Sequence, residues 1–195
     1  MDVKLNKEYW DNRYLEGDTA WDLGKIAPPL KAYFDTLVNK NLKILIPGAG
    51  NGYEAEYLFK NGFNQVFVLD IAPKAIKNFK ERVPEFPVDH IFCGDFFEHK
   101  NQYDLIVEQT FFCALNPILR NKYVLKIYEL LKPKGQLTGL LFNDTLNDDK
   151  PPFGGNKEEY IALFETYFNI KHIDMATNSI SPRAARELFF IFEKN

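Results

Sequence analysis

Residues 44–54 read Ile-Leu-Ile-Pro-Gly-Ala-Gly-Asn-Gly-Tyr-Glu, and the glycine spacing within them decides how the chain is read. A short apolar strand, Lys43 to Ile46, runs into Gly48, Gly50 and Gly52 and then into a helix carrying Ala55, Leu58 and Phe59. Glycine lets a backbone turn tightly and approach a ligand closely. The next strand, Val-Phe-Val-Leu-Asp, ends on Asp70, and a carboxylate in that place can grip two ribose hydroxyls. The dinucleotide fingerprint requires G-x-G-x-x-G, but here Tyr53 occupies the third glycine's place and that glycine falls one residue early. A glycine turn before a helix is also ordinary strand-to-helix punctuation. The agreement with Asp70 is what favours a cofactor site.

Outward from this segment, strand and helix alternate without a linker, repeat or low-complexity stretch. Candidate strands are 43–47, 65–71, 89–96, 103–110, 136–143, 170–177 and 187–194. Several are near-continuous apolar runs, as expected when helices cover both faces of a sheet. Ile76, Phe79 and Val83 share one face of the second helix. Asn116-Pro117 caps a long helix with the stripe Val124, Ile127 and Leu131, which stops at Lys-Pro-Lys-Gly135. Asn156 with Glu159 resembles a capping box before Ile161, Phe164 and Phe168. The order βαβαβ predicts an α/β fold with a doubly wound parallel sheet. The last two strands are separated only by Asn178 to Arg186. A parallel crossover needs about a dozen residues or more, so these two should pair antiparallel.

Composition bounds the function. At 195 residues the expectation is one domain spanning 1–195. A hydrophobic content of 46%, with 18 Phe and 10 Tyr, predicts an aromatic-rich interior or pocket. A net charge of −3 without a basic stripe argues against nucleic acid as a partner. No apolar run approaches the ~20 residues of a membrane helix, and the polar start is no signal peptide, so a cytoplasmic protein is expected. Cys93 and Cys113 are too few for a disulfide framework. His90, Cys93 and His99 match no zinc spacing, and no metal is expected.

G-x-G-x-G followed by an acidic residue resembles the pattern of S-adenosylmethionine-dependent methyltransferases. A seven-stranded Rossmann-like sheet with a reversed last strand, the class I architecture, agrees with it. The resemblance becomes specific in Tyr9-Trp10-Asp11-Asn12-Arg13-Tyr14 and Thr19-Ala20-Trp21-Asp22-Leu23-Gly24. These look like the amino-terminal region of the thiopurine S-methyltransferase superfamily, nearest to its plant-type thiol and halide methyltransferases. Further similar stretches are Ile46-Pro47-Gly48-Ala49-Gly50, Thr110 to Leu115, Tyr128 to Pro133, Pro151-Pro152-Phe153 and Ser181-Pro182-Arg183. They cover nearly the whole chain in order. The Pro-Leu-Cys-Gly-Lys stretch of the animal thiopurine enzymes is absent.

The resemblance implies a site position by position, with S-adenosyl-L-methionine as the cofactor. Trp10, Tyr14 and Trp21 match aromatic positions that close over the cofactor from an amino-terminal lid, residues 1–24; Tyr14 stands where tryptophan is expected. Aromatic faces attract a sulfonium. Gly48, with Gly50 in the same turn, matches the glycine nearest the methionine moiety, and Asp70 the ribose carboxylate. Asp95 and Phe96 match the pair that holds the adenine, and Gln109 another lining position. Read without the resemblance, Trp10 and Trp21 are core anchors of a helix and Asp95 a turn or cap residue.

On the acceptor side, pockets of open α/β sheets lie beyond the strands' carboxyl ends. That rim offers Glu108, Gln109, Phe111, Phe112, Phe142, Asn143 and the loop around Phe153, which could equally be core beneath loops. Phe112, Phe142 and Arg183 are the candidate substrate contacts. The plant-type enzymes are expected to carry tyrosine where this chain has Phe142. Arg183 and Arg186 either steer an anion or form a solvated hairpin tip. Cys113 reads as a buried small hydrophobe. No catalytic base is expected, because soft nucleophiles do not require one. The expectation is a monomer that methylates a small acceptor: a thiol, bisulfide, thiocyanate or halide. The alternatives are a thiopurine, tellurite or selenide methyltransferase, a nicotinamide-dependent oxidoreductase, and a cofactor-binding module without catalysis.

Overall fold

The structure, a computed structural model, describes residues 4–195. Residues 1–3 of the expected lid lie outside the described residues. The elements run α1 (Lys7–Leu15), α2 (Pro28–Phe34), β1 (Ile44–Pro47), α3 (Tyr53–Lys60), β2 (Val66–Asp70), α4 (Pro73–Arg82), β3 (Ile91–Cys93) and β4 (Tyr103–Gln109). They continue with α5 (Arg120–Leu130), β5 (Leu131–Phe142), α6 (Lys157–Phe164), β6 (Phe168–Met175) and β7 (Glu187–Lys194). The seven strands form one sheet in the order β3-β2-β1-β4-β5-β7-β6. β1 through β5 pair parallel, while β7 runs antiparallel between β5 and β6, as the short Asn178 to Arg186 connection requires.

Side-chain alternation divides the interior into two layers. Ile44, Ile46, Val66, Val68, Leu105 and Val107 join Leu30, Phe34, Ala55, Leu58 and Phe79 on one face. Leu45, Phe67, Leu69 and Ile106 join Tyr123, Ile127, Tyr160, Phe164 and Phe168 on the other. Successive strand residues point to opposite faces, so a strand buried on both must be apolar throughout, and β1 is. That explains the runs Ile-Leu-Ile and Val-Phe-Val-Leu.

Three local expectations need correction. The third strand is shorter than 89–96: a 3-10 turn covers Val88–His90, and another begins after Asp95, whose side chain accepts from the Phe97 N–H at 2.8 Å. Leu131 belongs to a strand rather than to the α5 stripe, because its backbone pairs with Tyr103 of β4. Asn116 caps a 3-10 turn, Pro117–Leu119, that feeds α5, rather than α5 itself. Asn156 caps α6, accepting from the Glu159 N–H at 2.9 Å.

Interlocking aromatic rings fill one face of the sheet. Phe164, 1% exposed, packs against Phe112, Tyr123, Phe168 and Phe192. Phe164→Ala is expected to cost roughly 3–5 kcal/mol in urea unfolding. Ile118→Ala, at a side chain 84% exposed, should lie within about 0.5 kcal/mol of the parent.

Candidate active site

The strand order reverses between β1 and β4, and one cavity of about 680 Å³ opens beyond the carboxyl ends of β1, β2, β4 and β5. This is where ligands settle in open α/β sheets. Gly48 and Gly50 follow β1 with φ of 58° and 56°, a conformation open mainly to glycine. The space that a Cβ would need is taken by the Phe111 ring at Gly48 and by the Tyr14 hydroxyl at Gly50. These glycines therefore allow close approach by the protein's own aromatic walls as well as a tight turn.

Asp70 ends β2 and is 7% exposed. One carboxylate oxygen accepts the Gly50 N–H and the other the Ala72 N–H, both at 2.8 Å. Burial pushes its pKa up, and the backbone donors around it pull it back. Each oxygen keeps a free lone pair, so hydroxyls in the cavity can still be gripped. From β4, Gln109 lines the cavity, and its Oε1 is buried with no hydrogen-bond partner among the described residues. Such an orphan acceptor is costly unless a ligand or water satisfies it. Thr110 follows with φ 57°, a strained position of the kind found at functional sites.

The amino-terminal segment roofs the cavity. Trp10 and Tyr14 lie one helical turn apart on α1, and Trp21 packs edge-on against both, at 5.7 Å in each case. The Trp21 indole donates to the Tyr14 hydroxyl at 3.3 Å. Burial, then the charge of Asp70, raises the Tyr14 pKa. On the outer side Asp11 accepts from the Lys74 N–H at 2.6 Å, which docks α1 onto the start of α4. Asp22 accepts from the Asn51 amide within the glycine turn.

Trp10, Tyr14, Trp21, Gly48, Gly50, Asp70, Asp95, Phe96, Gln109, Phe142 and Arg183 all line this one cavity. Phe112 does not. It is 1% exposed and packs between Tyr123, Tyr160 and Phe164, because the backbone turn after Thr110 sends it into the core. Glu108 also turns away from the rim, accepting from the Phe111 and Phe112 N–H groups and the Tyr123 hydroxyl at 2.6–2.8 Å. Arg183 is no solvated tip: it is 7% exposed and paired with Glu187. Arg186 is the exposed member and pairs with Asp144. Cys113 is buried, its thiol pushed up to about 12 chiefly by desolvation. The His90 ring bonds the Val66 carbonyl and the His99 ring the Tyr103 hydroxyl. Among the described residues no group of three or more His, Cys, Asp or Glu could hold a metal.

Sequence reasoning missed Leu119 and Leu146 in the cavity lining, whose spacing carries no motif. It also missed Glu54, buried at 6% beside the glycine turn and accepting from the Ala27 N–H at 3.1 Å. An acid directly after the glycine turn was the available signal, although Glu56 in the same helical turn is acidic too.

Glu108 carries a pH prediction. Burial pushes its carboxyl from the ordinary 4.5 up to about 7. The folded state therefore holds a proton that the unfolded chain has lost between those values. The stability linked to Glu108 is full below about 4.5 and is lost as pH rises through about 7. Glu108→Gln preserves acceptor and donor in nearly the same shape. It should remove on the order of 3 kcal/mol of pH dependence across that window, read from urea unfolding at pH 5 and 8.

The family model of thiopurine S-methyltransferase (TPMT) matches residues 5–194. A probable thiol methyltransferase 2 of Arabidopsis thaliana is 32% identical over 156 residues, covering 77% of this chain and 69% of that protein. Thiocyanate methyltransferase 1 of Brassica oleracea is 29% identical over 184 residues, covering 91% and 81%. Among solved structures, the Burkholderia thailandensis 1,6-didemethyltoxoflavin-N1-methyltransferase with bound S-adenosylhomocysteine shares the fold. Its TM-score is 0.78 at 16% identity, over 97% of this chain and 87% of that one. With the match running the length of the cavity-forming chain, this protein belongs to the thiopurine S-methyltransferase family.

Proposed function

We propose that this protein transfers a methyl group from S-adenosylmethionine to a small soft nucleophile, such as a thiol, bisulfide, thiocyanate or halide ion, and does so as a monomer. The carrying observation is the convergence on one cavity of the Gly48–Gly50 turn, Asp70 and Gln109. The residues fit the cofactor's chemistry. Asp70 would take the ribose hydroxyls, Asp95 and Phe96 the adenine, and the Trp10, Tyr14 and Trp21 rings the sulfonium side. The relatives named for thiol and thiocyanate methylation support the acceptor class.

When bound, the cofactor supplies an already activated methyl group. The chain's task is then to align the acceptor and keep water away. Phe142, Leu115, Leu119, Leu146, Pro151 and Pro152 line the cavity, and none of the three histidines does. An apolar wall suits a nucleophile that needs no base: a thiol with a pKa of ~8.5 is partly ionised at neutral pH, and halides need no deprotonation. The glycine spacing and the reversed β7 speak against a nicotinamide cofactor. A thiopurine is the second reading, favoured by a cavity with room beyond a small ion.

Calorimetry should find binding of S-adenosylhomocysteine and none of NAD, and Asp70→Asn should weaken that binding by ~1.5–3 kcal/mol. Unaltered affinity in the variant would remove Asp70 from the ribose site. Detection of methylated product from labelled cofactor separates an enzyme from a binding module.

Phe142 tests the acceptor. Its ring lacks the hydroxyl that tyrosine would place in the cavity, so the protein should prefer thiol-type acceptors, bisulfide included, over chloride. A hydrogen bond to an ion is worth roughly 1.5–3 kcal/mol. Phe142→Tyr should raise turnover with halide or thiocyanate relative to thiols. Identical acceptor ratios in the two proteins would place the acceptor elsewhere.

A further inference from the structure

Arg183 stands where the amino-terminal segment, the final hairpin and the acceptor wall meet. It ends a 3-10 turn, Ser181–Arg183, between β6 and β7. One guanidinium nitrogen donates to the Trp21 carbonyl at 2.7 Å, a contact between residues 162 positions apart. The other reaches Glu187, the first residue of β7, at 3.2 Å. The guanidinium carbon lies 5.7 Å from the centre of the Phe142 ring. The side chains of Arg183 and Glu187 are only 9% and 3% exposed.

Burial decides which of these contacts can give. Separating the guanidinium from Glu187 would strand a buried charge, which is strongly unfavourable. Releasing the Trp21 carbonyl strands only a neutral acceptor that water can reach once the segment lifts. The Glu187 end is therefore the anchor and the Trp21 bond the one that opens. An anion in the cavity would have to compete with Glu187 for the same cation, so Arg183 is poorly placed as a free anion receptor.

We propose that Arg183 is a positioning residue that latches the Trp10–Tyr14–Trp21 roof to the final hairpin and so couples closure over the donor to the shape of the wall at Phe142. This rests on the methyl-transfer reading of the cavity. The roof has two ties near Trp21: Arg183 on its carbonyl, and Asn51 of the glycine turn on the neighbouring Asp22. The first comes from the acceptor side and the second from the donor side. Closing the roof therefore reports on both halves of the cavity at once.

Two variants test this. Arg183→Lys keeps the charge but has one donor head for two partners. The double variant Arg183→Met with Glu187→Gln removes both buried charges, so neither is left unpaired if the single change impairs folding. Hydrogen exchange on the ligand-free protein should show the hydrogen-bonded amides of the 19–24 segment, Asp22 and Gly24, exchanging roughly tenfold faster in both variants, as expected for the loss of one charge-assisted bond. The amides of β4 and β5 should be unchanged. In turnover, KM for the methyl donor should rise several-fold and KM for a thiol acceptor should rise with it, because the same latch shapes the wall at Phe142. Unchanged exchange at Asp22 and Gly24 in a folded variant would overturn the latch. So would a rise in acceptor KM alone, which would mark an anion-binding arginine. Failure of the methyl-transfer reading would appear separately, as absent S-adenosylhomocysteine binding in the parent protein, while the ligand-free exchange still decides the latch.

Discussion

Helices cover both faces of β1, β2 and β4, and this double coverage constrains everything else in the molecule. Residues in the middle of these strands have no water to face and so are apolar, which leaves chemistry to the loops at the strand ends. Because β1 through β5 run parallel, their carboxyl ends lie on one edge of the sheet. The reversal of strand order between β1 and β4 parts the connecting helices there and opens the cavity. Gly48, Asp70, Gln109 and Phe142 meet across it for no reason of sequence proximity. Each ends or follows a strand that the core has already placed.

Buried acids then hold this edge in shape. Asp70 ties the glycine turn to the start of α4, and Glu108 gathers the Phe111 and Phe112 N–H groups with the Tyr123 hydroxyl. Glu54 holds the chain before α2. Each of these carboxyls receives backbone N–H donors, which offset part of the cost of desolvation. Glu108 also explains how Thr110 can sit at a positive φ. Its side chain takes two of the next turn's N–H groups, so the turn is over-determined and the strain is held.

The roof is built differently from the floor. The floor is strand ends locked by the core, whereas α1 has no buried residue and rests on edge-packed rings and a few polar ties. Those ties reach α4 through Asp11, the glycine turn through Asp22 and the final hairpin through Trp21. Segments with few buried apolar contacts open at low free energy, which suits a wall that must admit and release ligands.

Local chemistry was legible in the sequence because it is written in neighbouring residues. The Gly48–Gly50–Gly52 spacing, the apolar runs of β1 and β2, the Asn156 cap and the too-short link before β7 each follow from backbone sterics or chain length alone. Gly48, Asp70 and Gln109 line one cavity because strand ends are predictable once strands are, whereas Trp10, Tyr14 and Trp21 reach it from α1 and the loop after it by tertiary packing. What lay beyond reach was the direction of side chains at turns and the pairing of distant groups. Adjacent residues Phe111 and Phe112 look alike in sequence, yet the strained turn at Thr110 sends one to the cavity and the other to the core. Arg183 read as a surface cation or an anion contact until the fold buried it against Glu187 and the Trp21 carbonyl. Sequence determined which elements form and where their chemistry-bearing ends lie, because those depend on local conformation and periodicity. Only the tertiary structure decided which side chains face the cavity and which charges are neutralised, because burial and long-range pairing belong to the packed chain.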